Sequence, residues 1–225
     1  MTRVFRPRLE ILPGAQRRLW PRLQPSVKLG MVLYGGTAIA LRLGHRASVD
    51  FDFFTDKPLC KEALQAALPF IAGAAVLQDQ PDNTFTVVVS EGEAGAEHVK
   101  LSFFGGIAFG RVGEPEATED GVVLVASLAD LMATKTKVIL QRVEARDYQD
   151  IAAMIRAGVS LSIGLAAARA LYGPAFQPSE SLKAMVYFEG GDLNILSAED
   201  KETLINAASG VRDLPNVQIA ARSLG

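Results

Sequence analysis

The chain has 225 residues, of which 49% are hydrophobic and 21% are charged, and this composition excludes a disordered chain, a coiled coil and a collagen-like protein. The single cysteine, Cys60, excludes a disulfide framework, and no apolar run approaches the roughly 18 residues of a membrane span, so we expect a soluble, cytoplasmic protein without a membrane partner. The net charge of −2 excludes a protein that coats nucleic acid by bulk positive charge.

The first feature along the chain is a basic N-terminal flank. Residues 1–46 carry a net charge of +8 and the remaining residues carry −10. Such a flank can face a polyanion such as RNA, or it can dock on the acidic part of the same chain. Its nine basic residues are Arg3, Arg6, Arg8, Arg17, Arg18, Arg22, Lys28, Arg42 and Arg46.

An α/β pattern covers residues 1–126. The strand candidates are short apolar runs or alternate with a period of two, and the helix candidates keep helical spacing up to a glycine. The predicted helices cover residues 13–24, 37–43 and 60–71, and the predicted strands cover 31–34, 49–54, 74–77, 84–90, 98–104 and 121–125.

Helical spacing dominates residues 127–225. Ser127 with Asp130, and Ser197 with Asp200, have the spacing of a capping box at a helix start. The predicted helices cover residues 128–142, 145–157, 160–171, 179–189 and 198–208. The predicted fold is therefore α/β (α+β), with a small mixed sheet and flanking helices in a domain of residues 1–126, followed by a helical domain of residues 127–225.

A glycine pair and an acid pair form the segment that indicates chemistry. Gly35, Gly36 and Thr37 follow one predicted strand, and Asp50 and Asp52 lie on the next. Side chains two apart on a strand project to one face, so the two carboxylates repel each other unless a cation lies between them. Mg²⁺ prefers such ligands and shares them with substrate phosphates, which backbone N–H groups at a helix start also bind. The spacing therefore predicts a metal-dependent triphosphate site.

Other motifs with two aspartates fit less well. A haloacid-dehalogenase motif requires Thr or Val where Phe54 stands, and it does not explain the preceding glycines. A glycosyltransferase Asp-x-Asp motif, which binds Mn²⁺ with a nucleotide sugar, fits the carboxylates but not their spacing to the glycine pair. The chain has no P-loop sequence.

A second group of charged residues follows Ser127. On one continuous helix, Lys135, Arg142 and Arg146 fall within an arc of about 40° and form a positive stripe that could lie along a triphosphate or an RNA backbone. A solvated helix face explains the same spacing. Asp147 can form a surface ion pair with Arg146, and Asp150 is either a supporting residue of the site or an exposed acid.

Three segments together resemble the AbiEii/AbiGii-type nucleotidyltransferases, which belong to the DNA-polymerase-β-like nucleotidyltransferase superfamily. The first is Leu33–Thr55, with the sequence LYGGTAIALRLGHRASVDFDFFT. The second block comprises SLADLMATK, which ends at Lys135, then Arg142 and then ARDYQDI, which begins at Ala145. The strand VKLSFF, which ends at Phe104, is similar to the family's intervening strand. The resemblance covers roughly residues 30–155.

The resemblance implies a nucleotidyltransferase-type sheet and transfer of a nucleotide from an NTP to an acceptor, with Mg²⁺ as cofactor (Mn²⁺ is an alternative). It also implies a toxin of a type IV-like toxin–antitoxin or abortive-infection system, with tRNA as the acceptor and a cognate antitoxin protein as a partner. Asp50 and Asp52 would hold the metal, and Lys135 and Asp147 would join them in catalysis. The residues that would bind the nucleotide are Gly35, Gly36, Thr37, Ser48, Lys135 and Arg142.

One residue departs from the wider superfamily. Polymerase-β-like enzymes commonly carry a third carboxylate on a later strand, and here the matching strand has Ser102. A serine cannot accept the proton of the acceptor hydroxyl as a carboxylate would. Asp147 or a metal-bound water would then have to accept it. The alternative is a non-catalytic nucleotide-binding or partner-binding module on the same fold.

Overall fold

The computed structural model describes residues 3–81, 83–92 and 97–225, which form two compact units. The first unit comprises Met1–Gly110, Glu114–Ala126 and Ala221–Gly225. The second unit comprises Arg111–Gly113 and Ser127–Ala220. In the part of the chain that the structure describes, no helix is both long enough and apolar enough to cross a membrane.

The first unit is built on a mixed eight-stranded sheet with the strand order β1-β7-β8-β2-β3-β6-β5-β4. β3 lies near its centre, antiparallel to β2 and parallel to β6. The mixed α/β fold class predicted from the sequence is confirmed. The strands are β1 (Val4–Phe5), β2 (Val32–Tyr34), β3 (Asp50–Phe54), β4 (Ala75–Gln80), β5 (Thr84–Glu91), β6 (Glu97–Phe104), β7 (Glu116–Thr118) and β8 (Leu124–Val125).

The alternation of aspartate and phenylalanine on β3 has the predicted effect. Phe51 and Phe53 are fully buried, and the ring of Phe53 stacks on Phe103 of β6 with 5.6 Å between the centroids. Asp50 and Asp52 lie on the opposite face and are only partly buried. Because the apolar face fixes the register of the strand, it also fixes which way the two carboxylates point.

The helices of the first unit are α1 (Gly14–Leu19), α2 (Gly35–Leu43) and α3 (Lys61–Ala67). The prediction of one helix over residues 13–24 is wrong beyond Leu19, where the chain continues as a 3₁₀ helix, Trp20–Leu29. Pro21 and Pro25 lack the N–H groups that α-helical hydrogen bonds require. The predicted strand over residues 121–125 is shorter because Gly121 has a φ of +68° and belongs to a turn.

The second unit is helical, as predicted, with α4 (Leu128–Val138), α5 (Ala145–Arg156), α6 (Leu161–Tyr172), α7 (Pro178–Val186) and α8 (Ala198–Gly210). Ser127 and Ser197 cap α4 and α8 by accepting the backbone N–H three residues on. The predicted helix over residues 128–142 is too long. It ends at Val138, and a turn separates it from α5.

In the part of the chain that the structure describes, arginines of the basic flank pair with acidic residues of their own unit. Arg18 pairs with Glu97, Arg22 with Glu91 at 2.5 Å, and Arg42 with Glu116 at 2.7 Å. For these three arginines the structure supports internal docking, the second of the two explanations that the charge asymmetry allows. Arg3, Arg6 and Arg17 are exposed.

Candidate active site

The acid pair lies at the start of β3, directly after the loop that follows α2. Asp50 keeps 25% of its side chain exposed. Asp50 is opposite Lys100 of β6, and Asp52 is opposite Ser102. Since paired residues of neighbouring strands share one face of the sheet, these four side chains project from the same face.

Gly35 shows why a glycine precedes α2. Its φ is +73°, and a Cβ at this position would lie 2.6 Å from Oδ2 of Asp52. The Asp52 carboxylate therefore occupies the space that any other residue's side chain would need. The N-cap residue of α2, Tyr34, makes no capping hydrogen bond to the helix with its side chain. The helix dipole at this end favours negative charge, both on Asp52 and on a phosphate.

Thr37 and Ser48 form a buried hydroxyl pair behind the acid pair. They are 2% and 7% exposed, and their Oγ atoms lie 2.7 Å apart. The Thr37 hydroxyl also donates to the backbone carbonyl of Asp50. The structure thus places both predicted nucleotide-binding hydroxyls in contacts that fix the start of β3, so a phosphate would have to compete with these contacts.

Gln16 is a positioning residue that the sequence analysis missed. It is buried, and its amide nitrogen donates to the carbonyl of Val49 at 2.8 Å, directly before Asp50. The two residues are 33 positions apart in the sequence. A contact over that distance leaves no local pattern that could have revealed it.

Lys100 is the second functional residue that sequence reasoning overlooked. Its Nζ lies 3.0 Å from Oδ2 of Asp50. The signal was present in the alternation of β6, which places Lys100 on the same face as Ser102. Ser102, the residue that departs from the superfamily pattern, is 4% exposed and lies beside Asp52.

The acid pair fits a metal ion that the substrate helps to bind. Over residues 3–81, 83–92 and 97–225, no three His, Cys, Asp or Glu side chains cluster as a ready-made metal site. Mg²⁺ in nucleotide-handling proteins is typically held by one or two carboxylates together with substrate phosphates. Asp50 and Asp52 supply such a pair, and the close approach of Gly35 leaves the Asp52 carboxylate next to a helix N-terminus that favours anions.

The second unit carries a buried charge cluster around Asp147. Lys135 lies 2.5 Å from Asp147 and 2.7 Å from Asp150. Arg142 donates to both carboxylate oxygens of Asp147, at 2.8 and 3.1 Å. The aspartates are fully buried and the Lys135 side chain is 5% exposed, whereas 43% of the Arg142 side chain is exposed.

The surroundings of Asp147 favour its charged form. Burial alone raises the pKa of a carboxyl group, but the hydrogen bonds from Arg142 and the charge of Lys135 outweigh burial and lower the pKa of Asp147. A carboxylate with a lowered pKa is a weak proton acceptor. A role as general base therefore stays a prediction, and the contacts favour a role in holding Lys135 and Arg142.

The proposed positive stripe is wrong. Lys135 belongs to α4, Arg142 to the turn and Arg146 to α5, so the three residues do not share a helix face. The suggested pair between neighbours in sequence is also wrong, because Arg146 pairs with Glu144 at 2.6 Å. Asp150, for which two roles remained open, is buried.

Residues beyond 160 position this cluster. The Asp192 carboxylate accepts the backbone N–H of Ala145 at 2.6 Å and so binds the first turn of α5. Gly191, with a φ of +50°, allows this approach, since a Cβ there would lie 2.0 Å from the carbonyl oxygen of Val143. The loop that precedes α8 thus holds the start of the helix that carries Asp147.

Comparisons with known proteins indicate the family to which the chain is similar. The family model described as "Nucleotidyl transferase AbiEii toxin, Type IV TA system" matches residues 18–207. A protein of Aquifex aeolicus (strain VF5) is 29% identical over 140 residues, which cover 60% of this chain and 64% of that protein, so the match spans less than two thirds of the relative. Among solved structures, the chain is similar to MenT4, a nucleotidyltransferase toxin from Mycobacterium tuberculosis H37Rv, with 15% identity, a TM-score of 0.40 and coverage of 86% of this chain and 91% of that chain.

Proposed function

The chain belongs to the AbiEii nucleotidyl transferase toxin family of type IV toxin–antitoxin systems, and from this premise we propose that it transfers a nucleotide from an NTP to an acceptor hydroxyl with the help of Mg²⁺. One observation carries the proposal: Asp50 and Asp52 share one face of β3, and Asp52 lies directly against the start of α2 at Gly35. A pair of carboxylates beside a helix N-terminus suits a metal–triphosphate complex.

In the proposed reaction the oxygen of the acceptor hydroxyl would attack the α-phosphorus of the NTP, and the hydroxyl proton would pass to water. The bond from the α-phosphorus to the bridging oxygen would break, so that pyrophosphate leaves. Asp50 and Asp52 would hold Mg²⁺ or Mn²⁺, which when bound stabilises charge on the attacking and leaving oxygens. The N–H groups of Gly36 and its neighbours in the first turn of α2 would bind phosphate oxygens. Thr37 and Ser48 would act by keeping the start of β3 in place.

The second unit carries Lys135 and Arg142, two of the predicted nucleotide-binding residues. Arg142 is the half-exposed member of its cluster and could bind a phosphate while it stays bonded to Asp147. Contact between Lys135 and the triphosphate stays a prediction, because two buried carboxylates already bind its ammonium group. A phosphate would have to compete with both.

The acceptor in this proposal is RNA, specifically tRNA, which the family resemblance implies. Arg3, Arg6 and Arg17 are exposed and could contact a phosphate backbone. A cognate antitoxin is the proposed protein partner, in line with the type IV toxin–antitoxin family.

Ser102 favours a second candidate function. It stands beside Asp52, where a carboxylate could have accepted the proton of the acceptor hydroxyl. A protein that binds NTP without transferring it would tolerate this serine. The two functions differ in their product, because only the enzyme releases pyrophosphate and leaves a nucleotide on the acceptor.

The test is incubation of the full chain with each of the four α-³²P-labelled NTPs, Mg²⁺ and total bacterial RNA. We expect label from one NTP in a tRNA-sized band. Asp52→Asn, which keeps the shape of the side chain but removes its charge, should abolish the label. Asp79→Asn is the matched control, because Asp79 is a partly exposed aspartate of the same unit, paired with Lys61 at the edge of the sheet.

Three outcomes separate the functions. Transfer that is lost with Asp52→Asn and kept with Asp79→Asn supports the enzyme. NTP binding that requires Mg²⁺ and Asp52, without transfer to any RNA, supports the binding module. If neither binding nor transfer depends on Asp52, the acid pair is not a nucleotide site and both functions are refuted.

A further inference from the structure

The acid pair has a lysine as its neighbour on the next strand. Nζ of Lys100 lies 3.0 Å from Oδ2 of Asp50. The contact follows from the parallel register of β3 and β6, which places the two residues opposite each other. Ion pairs that keep 39% and 25% of their side chains exposed contribute little to folding stability. Stability therefore does not account for a lysine at this position.

Lys100 competes with a metal ion on electrostatic grounds. A divalent cation held by Asp50 would lie within a few ångströms of the ammonium group, and two cations at that distance repel each other. The Asp50 carboxylate therefore binds a metal ion more weakly while it is paired with Lys100. A triphosphate changes this balance, because its oxygens help to bind the metal and also offer the ammonium group a new anionic partner.

We propose that Lys100 is a built-in competitor for the divalent cation, which neutralises Asp50 in the nucleotide-free protein and yields the carboxylate when a metal–triphosphate complex binds. This inference rests on the proposed function and adds to it a dependence of metal binding on the nucleotide. The acid pair binds free metal ions weakly, and metal uptake depends on the nucleotide. Lys100 is a specificity-determining residue in this sense, since it makes the site select the complex over the free ion.

The experiment measures Mn²⁺ binding to the full chain without nucleotide, from the electron paramagnetic resonance signal of the free ion. Lys100→Met keeps most of the aliphatic stem and removes the charge. We expect it to bind Mn²⁺ about tenfold more tightly than the parent chain, the gain from removing a unit charge roughly 5 Å from a divalent ion in a largely aqueous setting. Lys61→Met is the matched control, because Lys61 is 38% exposed and pairs with Asp79 in the same unit.

Asp50→Asn, added to Lys100→Met, shows whether the measured Mn²⁺ ion binds at the acid pair. It should abolish the Mn²⁺ binding that Lys100→Met strengthens. Loss of structure at the acid pair would weaken metal binding, so a gain in affinity on removing Lys100 reports its charge and not a structural role. Equal Mn²⁺ affinities for the parent and Lys100→Met, or an equal gain in Lys61→Met, would overturn the proposal for Lys100. If the parent still transfers nucleotide in that case, the proposed function stands, whereas loss of both metal binding and transfer in every chain refutes the proposed function as well.

Discussion

Gly35→Ala tests whether the glycine before α2 sets the position of the metal-binding carboxylate. Two separate costs apply at this residue. The φ of +73° is unfavourable for an alanine, which costs about 1–2 kcal/mol. The new Cβ would also lie 2.6 Å from Oδ2 of Asp52, so the carboxylate must retreat by about 0.8 Å to reach an ordinary contact of 3.4 Å.

Gly121→Ala provides a control for the first cost alone. Gly121 lies in the same unit with a φ of +68°, and nothing in the described residues lies within 4 Å of its Cβ position. We expect Gly121→Ala to lower the free energy of unfolding by about 1–2 kcal/mol and Gly35→Ala to lower it by at least as much. We expect only Gly35→Ala to lower nucleotide transfer, by about a hundredfold, because a displacement approaching 1 Å at a reacting centre has that order of effect.

The assay combines thermal unfolding with the initial rate of nucleotide transfer at saturating Mg²⁺. The contrast between the two variants carries the test, since both change the same backbone conformation. Gly35→Ala with parental transfer would refute the view that the close contact between Gly35 and Asp52 positions the carboxylate. Equal losses of transfer in both variants would attribute the effect to general destabilisation.

Three further predictions concern the second unit. Lys135→Met leaves the buried carboxylates of Asp147 and Asp150 without their shared cation, so it should lower the free energy of unfolding by about 3–5 kcal/mol in chemical denaturation. The pKa of Asp147 is lower in the folded chain than its unfolded value of about 3.9. The charged carboxylate therefore stabilises the fold above that pH, and this stabilisation is lost as the pH falls through the folded pKa. Asp147→Asn should weaken this acid dependence in unfolding curves measured between about pH 5 and pH 2. Asp192→Ala removes the hydrogen bond to the Ala145 N–H and should cost about 1 kcal/mol, measured as a lower melting temperature.

Two of these predictions have a reference variant. Lys183→Met removes a lysine from an exposed pair with Glu180 and should change stability by less than about 1 kcal/mol. If it costs as much as Lys135→Met, burial is not the reason for the effect. Asp213→Ala removes an exposed aspartate near the C-terminus and is the comparison for Asp192→Ala. An acid transition of unchanged slope in Asp147→Asn would contradict the assigned origin of its pKa.

The parts of the site that could be predicted from the sequence are those that local periodicity determines. The alternation of aspartate and phenylalanine fixes both faces of β3, since burial of Phe51 and Phe53 leaves one orientation for Asp50 and Asp52. Strands β1 and β7 escaped prediction because two or three residues are too few to show a period, and β1 depends on a partner, β7, far away in the sequence.

The break between α4 and α5 shows a different limit. Residues 139–144 contain neither glycine nor proline, so the predicted helices over residues 128–142 and 145–157 leave only two residues between them. The structure ends the helix because Arg142 turns to bond Asp147, and because Asp192 binds the start of α5. Tertiary contacts thus overrode local propensity at the turn between these helices.

The candidate site also combines features that the local sequence predicts with contacts that it does not. Residue types and spacing indicate which groups can bind a metal, because carboxylates, glycines and hydroxyls have distinct chemistry at short range. They do not indicate which partner each group already has. Thr37 was predicted as a phosphate ligand, but its hydroxyl bonds the backbone of Asp50, and Lys135 was predicted to face a triphosphate, but two aspartates hold it. The alternation of β6 gives the face on which Lys100 lies, but its partner Asp50, 50 residues away, follows only from the strand register. A ligand binds such groups only by displacing the partners they already have. Contacts between residues far apart in the sequence therefore limit how tightly the glycine and aspartate motif can bind its substrate.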